Sequence, residues 1–249
     1  MVLLQGSRQG FSANAEFQAC SHRPNPFNQK LIKLKEVFKT KNLRAVLVVD
    51  PYQLPEQILE EMLQVKLKVL DSFSDDPIKA RSVLADHFIN AVVELIMDGN
   101  KIAGFGIYAQ LSDEAFEISR LILPDYQGAG IGKYFALAAC RYYSGLPYLV
   151  STTGNKSAFF AVNSALKGLI VSPVLADGRF QPLNPKFDNV VKRLAEVKGL
   201  EYVRQDGVIE GRYESGGLYK SNINQESDFP LDSTRGDAVF ILGCNPFYR

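Results

Sequence analysis

The segment with the clearest chemical potential is a glycine-rich stretch in the middle of the chain, LILPDYQGAGIGK (residues 121–133). It begins as an apolar strand, stops at Pro124, and then places glycines at positions 128, 130 and 132 before a helical pattern. At a strand-to-helix turn several backbone N–H groups have no partner inside the helix, and glycines let an anion approach them closely. The segment therefore predicts a phosphate or other anion site at a helix N-terminus.

Two common phosphate-binding loops do not fit this stretch. A Walker A loop needs G-x-x-x-x-G-K-[ST], but Gly132-Lys133 is followed by Tyr134, and Gln127 stands where the first glycine should be. A Rossmann fingerprint needs G-x-G-x-x-G, and its third glycine would fall on Lys133. The strand before the loop also belongs to a predicted meander and does not open a βαβ unit. Nucleotide sites of these two classes are therefore excluded.

The pattern L-P-x-Y-Q-G-x-G-I-G-K resembles the acyl-CoA-binding motif of the Gcn5-related N-acetyltransferase (GNAT) superfamily, [QR]-x-x-G-x-[GA] preceded by V/L-x-P. Gln127, Gly130 and Gly132 occupy the three motif positions. The predicted order of elements resembles that fold from about Ala45 to Gly168, roughly half of the chain. The resemblance implies an N-acyltransferase that uses an acyl-CoA, by default acetyl-CoA, as donor substrate, without a metal.

The resemblance also implies which residues hold the donor. The backbone N–H groups of the loop would bind the CoA pyrophosphate, and the end of the preceding strand would pair with the pantetheine arm. A second, parallel strand, Tyr148 to Ser151, would splay away so that the thioester sits in the gap. Asn155 matches a position often used for pantetheine, and it fits a helix N-cap equally well. The implied donor-binding residues are Leu121, Ile122, Leu123, Gln127, Gly128, Ala129, Gly130, Ile131, Gly132, Lys133 and Asn155.

Acyl transfer to an amine needs a proton acceptor for the amine and stabilisation of the oxyanion. Alternation along strand 115–124 places Glu117 and Ser119 on one face with Leu121 and Leu123. We expect apolar neighbours around Glu117, which would suit a proton-accepting carboxylate. Histone-type members of the superfamily have a glutamate at the matching point, so Glu117, with Ser119 beside it, is the predicted catalytic pair. The alternative is a structural role for Glu117, as a solvated edge residue or as a partner of the neighbours of Arg120.

The thiolate leaving group also needs a proton, and here the chain departs from the family. The usual donor is a tyrosine in a pattern such as N-x-x-A-x-x-x-Y; Asn155 and Ala158 match, but Val162 stands at the tyrosine position. The proton donor is therefore left open between a water molecule, Ser119, Ser151 and Tyr142, or none is needed. For His22, His87 and Cys140 we expect structural roles.

The elements that must position these residues follow from hydrophobic periodicity and turn residues. The pattern predicts a mixed α/β sheet with helices packed on it. Predicted strands cover 45–50, 91–97, 101–110, 115–124 and 147–152, and predicted helices cover 55–70, 77–90, 132–145 and 156–168. Beyond Pro173 we expect a helix at 188–198, a turn at 205–207, a loop from 213 to 237 and a strand at 237–243.

Three segments are predicted along the chain. Residues 45–173 form a GNAT core, and residues 174–249 form a C-terminal extension that completes the sheet and contributes to the acceptor site. Residues 1–44 form an N-terminal extension whose end, from Asn28, is a basic amphipathic helix. Its lysines, among them Lys30, Lys33 and Lys41, fit either a solvated face or a patch for a nucleic acid.

Composition limits the class of protein. The chain has 249 residues, with 28 Lys and Arg against 27 Asp and Glu, and this net charge of +1 argues against a globally basic nucleic-acid binder. The three cysteines, at 20, 140 and 244, have no C-x-x-C spacing, which argues against a disulfide framework or a structural zinc. No apolar run reaches the ~20 residues of a membrane span, and no secretion signal is evident. We therefore expect a cytoplasmic protein without a membrane partner, and leave a homodimer open.

Three functions remain after this reading. The first is an acyl-CoA-dependent N-acyltransferase in which an amine attacks the thioester directly in a ternary complex. The second is a GNAT-type enzyme that modifies a nucleic acid or a modified base. The third is a CoA-binding interaction module without catalysis, which the missing tyrosine favours.

Overall fold

The computed structural model describes residues 43–70, 76–200, 203–213, 229–232 and 235–249. The predicted basic helix with Lys30, Lys33 and Lys41 lies outside the described residues, as do His22 and Cys20.

The described chain contains ten strands, five α-helices and three short 3-10 turns. The strands are β1 (Leu43–Val48), β2 (Ala91–Asp98), β3 (Lys101–Gln110), β4 (Ala115–Ile122), β5 (Tyr148–Thr153), β6 (Ile170–Ser172), β7 (Val174–Ala176), β8 (Arg179–Gln181), β9 (Val208–Ile209) and β10 (Ala238–Cys244). The helices are α1 (Glu56–Val69), α2 (Pro77–Asp86), α3 (Ile131–Tyr142), α4 (Lys156–Leu166) and α5 (Asp188–Val197). The short turns are Pro51–Gln53, Pro124–Tyr126 and Pro185–Phe187.

One sheet organises the described part of the molecule. Its strand order is β1-β2-β3-β4-β5-β10-β6, with β9 paired to β10, while β7 and β8 form a separate hairpin. Every described pair is antiparallel except β4 with β5, which is parallel. The predicted mixed α/β sheet is therefore confirmed.

Helices cover both faces of this sheet. Helices α1 and α2 pack on one face in a cluster that includes Met62, Leu84 and Phe105, and Leu121 lies against it. Helices α3 and α4 pack on the other face, where Phe116 joins their cluster. The alternation predicted along β4 is confirmed, because its odd-numbered and even-numbered side chains enter different clusters.

Helix α2 ends earlier than the sequence predicts. Asp76 caps its start by accepting the Lys79 N–H at 2.8 Å, as expected for an Asp-Pro start. The prediction extended the helix to about Asn90, but it ends at Asp86 with His87 as the C-cap. The reason is a left-handed backbone at Asn90 (φ 53°), which turns the chain into β2. This early end places His87 beside the sheet.

The C-terminal strand β10 lies inside the sheet and not at its edge. It pairs with β5 on one side and with β6 and β9 on the other, and residues 238–242 are completely buried. Gly243 packs against helix α4, where a Cβ would overlap the Leu166 side chain. Strand β10 is thus part of the same core as the strands before it.

This close approach yields a test of the packing between β10 and α4. We expect Gly243→Ala to lower the free energy of unfolding by about 1–3 kcal/mol, because the methyl group must displace Leu166 from a filled core. Gly145→Ala is the matched control: a Cβ there meets nothing within 4 Å, so the change should be neutral or slightly stabilising. Urea unfolding of both variants checks this, and equal effects would contradict the packing.

A buried lysine makes the free energy of unfolding depend on pH. Lys66 of α1 is 3% exposed and donates through Nζ to the Ala80 carbonyl at 3.1 Å. Burial lowers the pKa of Lys66 to about 8, against the attraction of Asp86, which raises it. Between about pH 8 and pH 10 the unfolded lysine therefore holds its proton while the folded one has lost it.

The free energy of unfolding should consequently rise with pH in this window. Relative to Lys66→Met, which cannot titrate, we expect wild type to gain about 2 kcal/mol between pH 8 and pH 10. Urea unfolding of both proteins at several pH values measures the difference. Parallel profiles would show that Lys66 keeps an ordinary pKa in the folded state.

Candidate functional site

The glycine loop connects β4 to α3 through the short turn Pro124–Tyr126. Gly128 and Gly130 have left-handed backbones, with φ of 78° and 83°. A Cβ at either position would meet no atom within 4 Å, so the space beside both glycines is open. Left-handed backbone explains why glycine stands there, and the open space leaves room for a ligand.

The N-terminus of α3 presents unpaired donors to this space. Gly130 is the N-cap, no side chain caps the helix, and the first backbone bond of the helix runs from Tyr134 N–H to the Gly130 carbonyl at 3.0 Å. Within the described chain, no backbone carbonyl accepts a hydrogen bond from the N–H groups of residues 128–133. These donors, added to the positive end of the helix dipole, are suited to an anion such as a pyrophosphate.

Gly132 has a different role from the other two glycines. Its backbone is helical, and a Cβ there would lie 3.1 Å from the Ala161 Cβ of α4. The glycine thus allows α3 and α4 to pack closely beside the loop.

Strands β4 and β5 separate beside the glycine loop. They pair only at Ala115–Tyr148, Phe116–Leu149 and Glu117–Val150. At the next position Ser151 Oγ donates to the Ile118 carbonyl at 3.2 Å across the widening space. The strands therefore form a gap that is closed at Glu117 and opens toward the glycine loop, the splay that the resemblance implies.

At the end of β4, Ile122 is the residue whose backbone N–H and carbonyl point toward the gap. Leu123 is engaged inside the protein, since its N–H donates to the Ala103 carbonyl at 3.0 Å and its carbonyl accepts from Tyr126 N–H at 2.9 Å. Because backbone groups alternate in an antiparallel pair, Leu121 also faces β3, and Ile122 faces the gap. The arm was predicted to pair with the backbone around Ile122 and Leu123; the Leu123 groups are taken up inside the protein, and of Leu121, Ile122 and Leu123 only Ile122 faces the gap.

Two further residues that were predicted to bind the acyl-CoA make hydrogen bonds within the protein. Gln127 Nε2 donates to the Ile122 carbonyl at 3.1 Å, which ties the loop to the end of β4. Asn155 is the N-cap of α4 and accepts the Ala158 N–H at 2.9 Å. The N-cap alternative for Asn155 is therefore confirmed.

Arg120 extends from β4 to the first turn of α4. Its Nη2 donates to the Ala158 carbonyl in the first turn of α4 at 2.5 Å. The guanidinium therefore links β4 to α4 on the face of the sheet that α3 and α4 cover, and its Nε would lie 3.7 Å from a Cβ on Gly132.

Glu117 and Ser119 lie together in a cavity of about 110 Å³ on the α1–α2 side of the sheet. This volume accepts a small group such as an amine at the end of an arm, not a whole acceptor. The cavity is at the closed end of the gap because Glu117 is the last paired residue of β4. The lining residues are Asp86, His87, Ile89, Ile107, Ala109, Glu117 and Ser119.

The surroundings of Glu117 differ from the expected apolar ones. Its carboxylate forms an ion pair with Lys198 Nζ, and the side chains are 24% and 7% exposed, respectively. Lys198 follows α5 and is 81 residues away in sequence. The expectation of apolar neighbours around Glu117 is wrong. No local sequence signal indicates this pairing, beyond the prediction that the C-terminal extension contributes to the acceptor site.

His87 is a cavity residue that sequence reasoning assigned to structure alone. Its side chain reaches solvent, yet the surrounding protein lowers the pKa of His87 by desolvation, while the Glu117 carboxylate acts in the opposite direction. A neutral imidazole is thereby favoured next to Glu117 and Ser119. The signal that could have found it is its position just after a helix that faces the same sheet.

The structure also narrows the choice of proton donor. Val162 is completely buried in the core, so nothing replaces the missing tyrosine at that position. Tyr142 is at the far end of α3, roughly 16 Å along the helix from the loop, and lines a separate cavity. Ser119 and Ser151 remain as candidate proton donors near the closed end of the gap.

Cys140 is buried, which raises its pKa to about 12 and fits the expected packing role.

Neither a metal centre nor a membrane-spanning helix is found among the described residues. No group of three or more His, Cys, Asp or Glu residues there could hold a metal ion. No helix in the same ranges is both long and apolar enough to cross a membrane.

No protein-family model and no curated protein matches this sequence. Solved structures with a similar course of the chain include the ribosomal-protein-S18-alanine N-acetyltransferase from Escherichia coli, at 12% identity and a TM-score of 0.47 over 81% of this chain and 94% of that chain. An IAA acetyltransferase from Bacillus cereus has 12% identity and a TM-score of 0.45 over 82% and 99%. A GNAT family acetyltransferase from Elizabethkingia anophelis with acetyl-CoA bound has 13% identity and a TM-score of 0.41 over 82% and 99%. These values describe a distant likeness, so the argument for a function depends on the residues of this chain.

Proposed function

We propose that this protein is an acyl-CoA-dependent N-acyltransferase of the GNAT type, with acetyl-CoA as its donor substrate. The observation that carries the proposal is the uncapped N-terminus of α3, with Gly128 and Gly130 in left-handed conformations, at the open end of the gap between β4 and β5. An anion site and an unfilled strand edge occur together there, which suits a ligand with a pyrophosphate and a peptide-like arm.

The donor would lie along β4. Its pyrophosphate would accept hydrogen bonds from the N–H groups of residues 128–133. Its arm would accept one from the Ile122 N–H in the gap, because the Ile122 carbonyl already accepts from Gln127. From Ile122 to Glu117 the strand spans five residues, roughly 16 Å, so an extended arm would bring the thioester to the closed end of the gap.

The acceptor amine would enter through the cavity that Glu117, Ser119 and His87 line. Glu117 would accept a proton from the ammonium, and the neutral amine would attack the thioester carbon. The carbon–sulfur bond then breaks as the amide forms, and the second proton released by the nitrogen passes to the thiolate, relayed by water or by a hydroxyl such as Ser119. Because the cavity is small, we propose that the acceptor presents its amine on a slim arm.

The nucleic-acid and non-catalytic alternatives have no comparable support. The first depends on Lys30, Lys33 and Lys41, which lie outside the described residues. The second depends on the absence of the tyrosine at Val162 alone.

Release of free CoA thiol from acetyl-CoA with a panel of amines tests the proposal directly, and mass spectrometry identifies the acylated product. Binding of CoA without turnover of any amine would favour the non-catalytic module.

Gly130→Glu should abolish CoA binding, because it adds bulk and negative charge where the pyrophosphate would lie. Gly178→Glu is the matched control, since Gly178 also has a left-handed backbone (φ 71°) and open space but lies in the β7–β8 turn. The measurement is the rise in Tm with added CoA, which follows from binding to the folded state. A full rise in the Gly130 variant would remove the pyrophosphate assignment.

Glu117→Gln should lower kcat by ~10²–10⁴-fold with little change in CoA affinity, because a proton acceptor is lost while the shape is kept. The loss should shrink at high pH, where the amine is already neutral. Glu114→Gln is the matched control, since Glu114 at the start of the same strand pairs with Arg193 of α5. If the two variants lose activity equally, Glu117 acts by holding α5 and not as the base.

A further inference from the structure

The Lys198 side chain is only 7% exposed, and the proposed reaction gives it no role. Its Nζ contacts the carboxylate that would receive the proton of an acceptor amine. We propose that Lys198 occupies the position of the acceptor amine and is itself an acyl acceptor, so that the protein acylates its own Lys198 from acetyl-CoA. This inference depends on the proposed function, because it uses the same donor and the same base.

Lys198 is held in place and is not a mobile surface lysine. It follows the last residue of α5, and its N–H donates to the Leu194 carbonyl at 3.2 Å. Leu194 and Leu200 on either side are buried in the cluster beneath α5. Arg193 pairs with Glu114 at 2.5 Å, which fixes the helix to the start of β4 at a second point. The position of Nζ on Glu117 is therefore set by the fold.

This position is at the closed end of the strand gap. Glu117 is the last residue of β4 that pairs with β5, and the Ser151–Ile118 hydrogen bond marks the next step. A donor arm that enters from the glycine loop and follows β4 ends there. The thioester and the Lys198 amine would then face the same carboxylate, which is the arrangement that direct transfer requires.

The ion pair is also poorly explained by stability alone. Removing two charges from water costs energy that their attraction only partly offsets, and a pair of apolar side chains would stabilise such a site at least as well. The Lys198 side chain is 7% exposed and contacts a carboxylate at the closed end of the gap. An intramolecular acyl acceptor requires this placement.

The step balances without another reactant. Glu117 takes a proton from the Lys198 ammonium, and the neutral Nζ attacks the carbonyl carbon of the thioester. The carbon–sulfur bond breaks as the amide forms, and the departing thiolate takes the second proton released by the nitrogen. The products are N-acyl Lys198, free CoA thiol and one proton left on Glu117, which returns to solvent.

The test is incubation of the purified full chain with trideuterated acetyl-CoA and no acceptor, followed by peptide mass spectrometry. The deuterium label separates new acetyl groups from any already present. Lys192 is the matched control: it lies on the same helix, is 71% exposed and pairs with Asp188. Non-enzymatic acetylation follows exposure and would favour Lys192. We expect the initial rate of labelling at Lys198 to exceed that at Lys192 on the order of tenfold, because the rate then depends on the position of the amine beside the bound thioester and not on its exposure.

The same experiment on Gly130→Glu gives the second arm. Labelling of Lys198 should fall to the level of Lys192 or below, since the donor no longer binds. Unchanged labelling in this variant, or a Lys198 labelled less than Lys192 in wild type, would overturn the inference. If wild type nevertheless gains Tm with CoA and releases thiol with an added amine, the proposed function stands and only the role of Lys198 falls. If both signals are absent, the proposed function itself fails.

Discussion

The separation of β4 from β5 is the constraint on which the site depends. Two parallel strands that paired along their full length would leave no polar edge for a ligand, yet here only three residue pairs form. The backbone of Ile122 is thereby left facing an open gap. Packing on the α3–α4 face supports this separation, since Arg120 links β4 to α4 and the Gly132 contact brings α3 against α4. The gap is thus supported by the neighbouring helices.

A buried polar network holds the glycine loop at the mouth of this gap. Glu94 of β2 is 1% exposed and accepts hydrogen bonds from Tyr108 and Tyr134, both at 2.5 Å. Burial raises the pKa of Glu94, while the two hydroxyl donors act in the opposite direction. Tyr134 belongs to the first turn of α3, so the network ties the start of that helix to the sheet. The unpaired N–H groups are therefore presented from a fixed helix end.

Charge is distributed unevenly between the two ends of the gap. The open end offers backbone donors and a helix dipole, which favour an anion. The closed end holds Glu117 with Lys198, and His87 beside them in the cavity. An anionic donor entering at the open end would meet the opposite charge, whereas at the closed end the Glu117 carboxylate is already paired with Lys198.

The sequence alone determined the features that local patterns encode. Periodicity and turn residues located the strands up to β5, the helices and the glycine loop, because each depends on neighbours within a few residues. The end of α2 was predicted four residues too late, since Asn90 gave no warning of its left-handed backbone. Only the tertiary structure decided which backbone faces the gap, that β10 lies inside the sheet, and that His87 and Lys198 meet Glu117. Contacts between residues as far apart as 81 positions follow from how elements pack, and no local pattern of side chains specifies them.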